Sequence, residues 1–455
     1  MKLTAIILFW SMSLVFFFAP GARADLPLFS ETLEQAENRG MNTSNSLKAS
    51  QETSLAAENL ASSGEAGLYP RLTLEGTYFY QTNVPDGSFV PGTPDIPFGT
   101  NSNWNVGPAL YYTLFDGGQA RRQWKSNENL AKARAEDFRA NEKQLRLSLR
   151  LAYFKLQYSL RNLMAVADSL KLSQAQEHDI HIRFQAGASS RLDSVNSRRQ
   201  TISDLLKFRQ AQNDLASAVR DLFALTGESQ DYDTSRPVPR ELSGDMPKGI
   251  DPATMVVDVE PIEKTVGNFG GRKISGPGQE HPEIKSLAYS VEASKLASDA
   301  ATAILWPKLQ FSARAEYMYP NLVFPDTVQQ NIFTVNLTMP LFEFDMTRNL
   351  ASQHLKESMA NEYQRQQKLV DFSRDWHKQK DLLASLRSQE LLSEENAKEA
   401  GEAARLTYQS YKVGKKEYLD VESADVQLLE AQVNAAQVQT NILNTMAQLD
   451  FLSSQ

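Results

Sequence analysis

The feature that most constrains this chain of 455 residues is a tandem duplication. The segment Leu114–Asp116 returns as Leu341–Glu343, 227 positions later. The segment Ala186–Asp193 returns as Val413–Asp420 at the same offset of 227. Because two separate anchors share one offset, we predict that the chain consists of two copies of one structural unit.

The predicted units are residues 25–226 and 283–455, and the proline-rich stretch 227–282 between them is predicted to be an irregular connector. A third anchor, Tyr69-Pro70, returns as Trp306-Pro307 at the larger offset of 237. The difference of ten residues places an insertion in Val84–Thr100, which we expect to be an external loop that acts as a lid or as surface protection.

Four runs alternate apolar and polar residues at the period of two that indicates β-strands. They fall in two hairpins, at about residues 70–115 and 307–342, and each run is close to the ~9–11 residues of a tilted transmembrane strand. One apolar face and one polar face are typical of transmembrane β-barrels, and a half-buried sheet of a soluble protein is the alternative. The predicted barrel-lumen charges are of both signs: Arg71, Glu75, Lys308, Arg314 and Glu316.

A proline-free segment with helical periodicity follows each hairpin, at residues 118–186 and 344–413. At ~1.5 Å per residue, each segment would form a rod of roughly 100 Å, so we predict a coiled-coil wall rather than a globular core. Gly187 and Gly414 interrupt the rods, and a return helix follows each of them. The two helical hairpins therefore have predicted tips near residues 184–193 and 411–420.

The N-terminus predicts export. Lys2 precedes the apolar run Leu3–Ala19, and Ala22–Ala24 has the small-residue pattern of a cleavage site, so residues 1–24 are predicted to be a signal peptide. An uncleaved anchor helix is the alternative. The rest of the chain offers no window near the ~20 apolar residues of a membrane-spanning helix. The net charge of −8 argues against nucleic acid as the main partner.

Four transmembrane strands do not close a barrel, because the smallest closed outer-membrane barrels have about eight. An open sheet in lipid would leave edge N–H and C=O groups unpaired, at a cost of several kcal/mol each. Two copies of the chain would give a barrel too narrow for a water-filled pore, whereas three copies would give roughly twelve strands. The predicted fold class is an α+β membrane protein whose copies share one barrel that continues into a helical tube.

Two motifs in this duplicated context resemble the TolC-type outer-membrane efflux protein family: Gly107–Gly118 (GPALYYTLFDGG) and Tyr411–Val421 (YKVGKKEYLDV). The resemblance implies a homotrimer in the bacterial outer membrane, with a barrel of about twelve strands above a periplasmic tunnel of coiled-coil helices. It also implies a passive exit duct of a tripartite efflux or type I secretion system. The implied partners are a periplasmic adaptor and an inner-membrane transporter of RND or ABC type, with no cofactor.

The resemblance further implies a gate or constriction at the tips, formed by Asp193 in the first tip and by Tyr411, Lys416 and Asp420 in the second. Lys416 replaces the arginine of the family, which removes a bidentate contact. Ser423 replaces a second acidic residue, with Asp425 two positions further on. A ring of Asp420 carboxylates would attract cations. The alternative is that the two aspartates only cap their helices.

The implied adaptor-docking surface is the pair of tips around Gly187, Leu192, Gly414 and Leu419. The alternative for the glycines is that they only permit tight turns. A second functional interpretation, a trimeric coiled-coil spacer or adhesin with a barrel anchor, also stays open, and so does the cargo: drugs, metal ions, siderophores or polypeptides. The sequence has no phosphate-binding glycine loop, nucleophile elbow or histidine-rich metal motif, so it does not indicate an enzyme.

Overall fold

The computed structural model describes residues 27–88, 92, 94, 96–228, 232–251, 253–270, 276–322 and 324–453. The predicted signal peptide, residues 1–24, lies outside the described residues, and so does part of the predicted insertion between Val84 and Thr100. Among the described residues, no α-helix is both long enough and apolar enough to cross a bilayer.

The first part of the chain contains, in order, β1 (Leu28–Glu31), α1 (Leu33–Thr43), α2 (Asn45–Ala66), β2 (Arg71–Tyr80), β3 (Asp86–Gly87), β4 (Ile96–Pro97), β5 (Ser102–Phe115), α3 (Gln119–Gln185) and α4 (Arg191–Thr226). The second part contains β6 (Pro237–Pro239), a 3₁₀ turn (Arg240–Leu242), β7 (Met255–Val259), α5 (Ile262–Gly270), α6 (Pro282–Ala303), β8 (Lys308–Tyr319), β9 (Val328–Thr338), α7 (Met346–Lys412) and α8 (Tyr418–Leu452). Helices α3 and α7 have 67 residues each, so each measures roughly 100 Å.

The four alternating runs form strands of one antiparallel sheet in the order β2-β5-β8-β9. One row across the sheet, on its apolar face, consists of Leu72, Leu110, Ala313 and Phe333. The next row, on the polar face, consists of Arg71, Tyr111, Ser312 and Thr334. Among the described residues, β2 and β9 each pair on one side only, so the sheet of a single chain is open at both edges.

Gly107, in the first of the two family motifs, lies where β5 passes very close to β8. A Cβ atom at this position would be 2.2 Å from the carbonyl oxygen of Ala315 and 2.5 Å from the Cα of Glu316. Only glycine fits there, because any side chain would push the two strands apart. The contact keeps the two hairpins in one continuous sheet.

The helices keep the order of the strands, because each strand runs directly into or out of a helix. Helix α3 packs against α2 and α6, and α7 packs against α6, which gives the order α2-α3-α6-α7. Further from the sheet, α4 packs against α3, and α8 packs against both α3 and α7. The end of α4 meets the end of α1, where the hydroxyl of Thr43 donates a 2.7 Å hydrogen bond to the carbonyl of Thr226.

The connector 227–282 is more regular than its prolines predict. Strands β1, β7 and β6 form a parallel sheet in that order, and α5 follows β7. The two prolines of β6 are tolerated because β6 is an edge strand that, in the described part of the chain, pairs with β7 alone. Strand β7 is apolar and almost wholly buried, as expected for a parallel strand covered on both faces. The main hydrophobic core surrounds this sheet and includes Phe154 of α3.

Candidate gate at the helical tips

Each tip is a short turn that reverses the chain at a glycine. Gly187 has φ +75° and Gly414 has φ +74°, in the left-handed region that favours glycine. A Cβ atom at either position would have no neighbour within 4 Å, so the requirement for glycine is conformational rather than steric. The leucines that begin the return helices, Leu192 and Leu419, are 67% and 64% exposed. The two repeats thus present similar glycine turns and similar apolar side chains.

Asp193 and Tyr411 meet between the first tip and the end of α7. The Tyr411 hydroxyl lies 3.5 Å from Oδ2 of Asp193, and the Ser189 hydroxyl donates a 3.1 Å hydrogen bond to the same oxygen. The cap of α4 is Ser190, whose hydroxyl accepts a hydrogen bond from the backbone N–H of Asp193 at 3.0 Å. The carboxylate of Asp193 is therefore not the helix cap, and it links the two helical hairpins.

Asp420 has a different role within the chain. Its Oδ2 accepts a 3.3 Å hydrogen bond from the backbone N–H of Glu417, as part of the capping box of α8. The same oxygen lies 3.6 Å from Nζ of Lys416. Asp420 is thus a helix-capping residue and also one half of an ion pair, and its carboxylate stays partly exposed to solvent.

Asp425 does not join the other four residues. It is 9% exposed, between helices, where Nε2 of Gln176 donates a 2.8 Å hydrogen bond to its Oδ2. Burial raises the pKa of the Asp425 carboxyl to about 6, and the nearby carboxylate of Asp204 on α4 adds to the shift. Its place inside the helical packing separates it from the exposed surface of the tips.

A second link to α7 comes from α3, at Tyr408, one helical turn before Tyr411. The Tyr408 hydroxyl donates a 2.9 Å hydrogen bond to Oδ2 of Asp179, and Nη1 of Arg183 donates a 3.2 Å bond to the carbonyl of Lys412. Burial alone would raise the pKa of Asp179, but the hydrogen bond from Tyr408 and the charges of Arg183 and Lys412 outweigh it and lower that pKa.

Aromatic packing supports both links. Tyr411 stacks on Tyr408 with ring centroids 6.4 Å apart and contacts the edge of Tyr418 at 5.7 Å. Tyr418, at the start of α8, is fully buried and packs with Val421 of the same helix and with Ile180 of α3. Burial raises the pKa of the Tyr418 hydroxyl, so this ring stays neutral at ordinary pH. The one-turn spacing of Tyr408 and Tyr411 is visible in the sequence, whereas their meeting with Asp179 depends on how the helices pack.

The polar face of the sheet brings together three of the predicted lumen charges, Glu75, Arg314 and Glu316. Nη2 of Arg314 donates a 2.8 Å hydrogen bond to the Tyr111 hydroxyl, which in turn donates a 2.8 Å bond to Oε1 of Glu75. Glu316 accepts a hydrogen bond from Asn105 at 3.3 Å. Arg71 and Lys308 begin β2 and β8 on the same face. Positive and negative groups thus neutralise one another across neighbouring strands.

The family model for outer membrane efflux proteins matches residues 41–228 and 278–454. The chain belongs to the outer membrane efflux protein family. The resemblance to the TolC-type members is thereby confirmed, and like them the protein is an outer-membrane channel with a periplasmic extension, not an enzyme. Channels of this family are homotrimers that work with adaptor proteins and inner-membrane pumps.

Several solved structures share the fold, a helical tunnel joined to a barrel. A membrane protein from Pseudomonas aeruginosa is 17% identical over 92% of this chain and 93% of that chain, with a TM-score of 0.74. VceC from Vibrio cholerae is 16% identical over 93% and 97%, with a TM-score of 0.74. The open state of the MtrE channel from Neisseria gonorrhoeae is 17% identical over 93% and 90%, with a TM-score of 0.71. No curated protein matches the sequence.

Proposed function

We propose that three copies of this chain form one outer-membrane exit duct, with a twelve-stranded barrel from three four-stranded sheets. The observation that carries the proposal is the open sheet, with β2 and β9 each unpaired on one side among the described residues. Pairing β9 of one copy with β2 of the next would satisfy these edges in lipid. Because the helices follow the strand order, the same assembly would close the coiled coils into a tunnel.

The duct would serve a tripartite efflux or type I secretion system. The mixed charges of the Glu75–Tyr111–Arg314 network favour a wet lumen without strong selectivity in the barrel. Selection of cargo would then belong to the inner-membrane transporter, of RND or ABC type. Residues 1–24 would direct export of the chain to the periplasm.

The tips would hold the periplasmic end of the duct closed. The links Asp193–Tyr411 and Asp179–Tyr408 tie α7 to the first helical hairpin within each chain. The partly exposed Asp420 would form a ring of three carboxylates in the trimer, with Lys416 balancing part of the charge. Opening would require these links to break and the return helices to move outward.

The exposed Leu192 and Leu419, beside the turns at Gly187 and Gly414, would form the surface on which the adaptor docks. Exposed leucines at equivalent places in both repeats would give a trimer six similar apolar contact points. An adaptor built from helical hairpins could bury such side chains by coiled-coil packing.

Single-channel recording in planar bilayers tests the duct and its gate. We expect Asp420→Asn, which keeps the capping oxygen, to lower cation selectivity and weaken block by multivalent cations. Asp299→Asn, at an exposed position on α6, is the matched control and should behave like the unaltered protein. Unchanged selectivity in Asp420→Asn would rule out the carboxylate ring. Silence of the bilayer even for a Tyr408→Phe, Tyr411→Phe double variant would rule out the duct itself.

A further inference from the structure

The two junctions between strand and long helix share a backbone conformation but differ in their side chains. In the first repeat, Gly117 and Gly118 lie between β5 and α3, with φ +65° and +81°. In the second repeat, the equivalent residues between β9 and α7 are Phe344 and Asp345, with φ +50° and +60°. The left-handed conformation is retained, although L side chains rarely adopt it. The second junction therefore carries a phenylalanine side chain at a place where the first junction has none.

The glycine of the first junction permits a close approach. A Cβ atom on Gly117 would lie 2.7 Å from Cβ of Trp306 and 3.1 Å from the carbonyl of Ala303. The turn between α6 and β8 therefore rests directly on the backbone of Gly117. A side chain at this position would displace Trp306.

At the second junction the described chain places no such turn against the backbone; the Phe344 ring contacts Phe342 edge-on, with ring centroids 4.5 Å apart, and remains 84% exposed. Phe344 lies between β9, whose outer edge pairs with no described strand, and α7, which begins at Met346. The position is thus continuous with the edge that the next copy would cover in the proposed trimer. By the internal repeat, the counterpart of Trp306 is Tyr69, which is 64% exposed between α2 and β2.

We propose that Phe344 packs against Tyr69 of the adjacent copy and acts as an aromatic spacer at each subunit boundary, a proposal that rests on the trimer proposed above. Because Phe344 has a side chain where Gly117 has none, Tyr69 cannot approach the backbone as Trp306 does. The boundary between copies is therefore wider than the boundary between repeats, and the two rings fill it. Where the barrel meets the tunnel, the six strand-to-helix junctions of the trimer therefore have threefold rather than sixfold symmetry.

Cysteine cross-linking tests this contact, and the sequence contains no native cysteine. The Tyr69→Cys, Phe344→Cys double variant, treated with a short bifunctional thiol reagent, should give covalent dimers and trimers on a denaturing gel. The matched control is Tyr69→Cys with Leu341→Cys, an equally exposed position on the apolar side of the same segment. We expect at least a five-fold lower cross-linked fraction in this control. Equal cross-linking of the two variants would overturn the proposal.

A second measurement separates subunit packing from lipid contact. Phe344→Gly removes the energetic cost of the left-handed backbone conformation, yet it should lower the temperature at which trimers dissociate in detergent, whereas Phe344→Tyr should leave that temperature unchanged. Trimers of Phe344→Gly that resist heat like the unaltered protein would overturn the spacer. So would labelling of Phe344→Cys trimers by a membrane-soluble maleimide, because the ring would then face lipid.

The mass of the purified protein distinguishes the two proposals. A trimer that fails to cross-link through Tyr69 and Phe344 would refute the spacer and leave the duct standing. A monomer at every concentration tested would refute both.

Discussion

Helices α3 and α7 have equal lengths and equivalent places in the repeat, yet their surroundings are opposite. Helix α3 packs against α2, α4, α6 and α8 and buries side chains along most of its length, whereas α7 packs against α6 and α8 and buries few. Large apolar side chains remain exposed on α7, among them Leu355, Met359, Tyr363, Val370 and Leu391. The duplication therefore produced two similar rods, of which one became the centre of the chain and the other its edge.

The sequences have diverged to match these surroundings. The fully buried Phe154 and Leu163 of α3 correspond, 227 positions later, to Asp381 and Glu390 of α7. Buried aromatic and aliphatic side chains stabilise α3 within one chain, whereas α7 carries the exposed Asp381 and the partly buried Glu390 at the equivalent places. Apolar side chains that remain on α7 are available to a neighbouring copy.

The largest expected effect comes from a substitution in the buried core around α3. Phe154→Ala should destabilise the folded chain by about 3–5 kcal/mol, because it opens a cavity in the main core. Denaturant unfolding of the detergent-solubilised protein measures the loss. The matched variant Leu391→Ala, at an exposed position of α7, should change chain stability little and instead lower the temperature of trimer dissociation. Similar losses of chain stability in both variants would show that α3 and α7 contribute equally to the fold of a single chain.

The next effect concerns the buried carboxyl of Asp425. Its pKa of about 6 in the folded protein is above the ordinary value of 3.8, so ionisation opposes folding. Stability should therefore be greatest at low pH with respect to this group, fall as pH rises from about 4 to about 6, and then level off. The loss is on the order of 3 kcal/mol.

Asp425→Asn should remove this dependence and make the protein more stable than the unaltered chain at pH 7, as measured by thermal unfolding across that pH range. Asp420→Asn, at the partly exposed tip position, is the comparison variant and should retain the pH dependence. A pH profile of Asp425→Asn identical to that of the unaltered protein would contradict the prediction.

The smallest effect concerns the links from α7 to the first hairpin. Tyr408→Phe removes a 2.9 Å hydrogen bond to Asp179, worth about 1.5–3 kcal/mol for a bond to a charged group, and should raise the open probability of single channels. Tyr411→Phe should act in the same direction but less strongly, because its hydroxyl lies 3.5 Å from Asp193. A larger effect of Tyr411→Phe than of Tyr408→Phe would show that the hydrogen bond between Tyr411 and Asp193 is shorter in the trimer.

Much of the fold follows from sequence periodicity, because a period of two and a proline-free helical repeat leave few alternatives. The strand β5 and the helix α3 are examples, since alternation ends at Phe115 and the helix begins at Gln119. The regularity of the connector was not predictable from its prolines, because an edge strand such as β6 tolerates proline only when a partner strand from elsewhere supports it.

The site was predictable only in part. Tyr411 and Asp193 belong to segments that the repeat itself identifies, and the structure brings them together. The sequence predicts Asp425 beside them because it is close along the chain, but the helical period turns it inward onto Gln176. The bond between Tyr408 and Asp179 joins residues 229 positions apart, and local sequence patterns do not report which helical faces meet.

The parallel sheet of the connector has a consequence for how the chain is made. Strand β1, at the start of the described chain, pairs with β7, with Leu28 opposite Val256. A chain that emerges from a translocation pore N-terminus first must deliver more than half of its length before β1 finds its partner. Closing so large a loop is slow, so the nascent first repeat waits in the periplasm with an incomplete core.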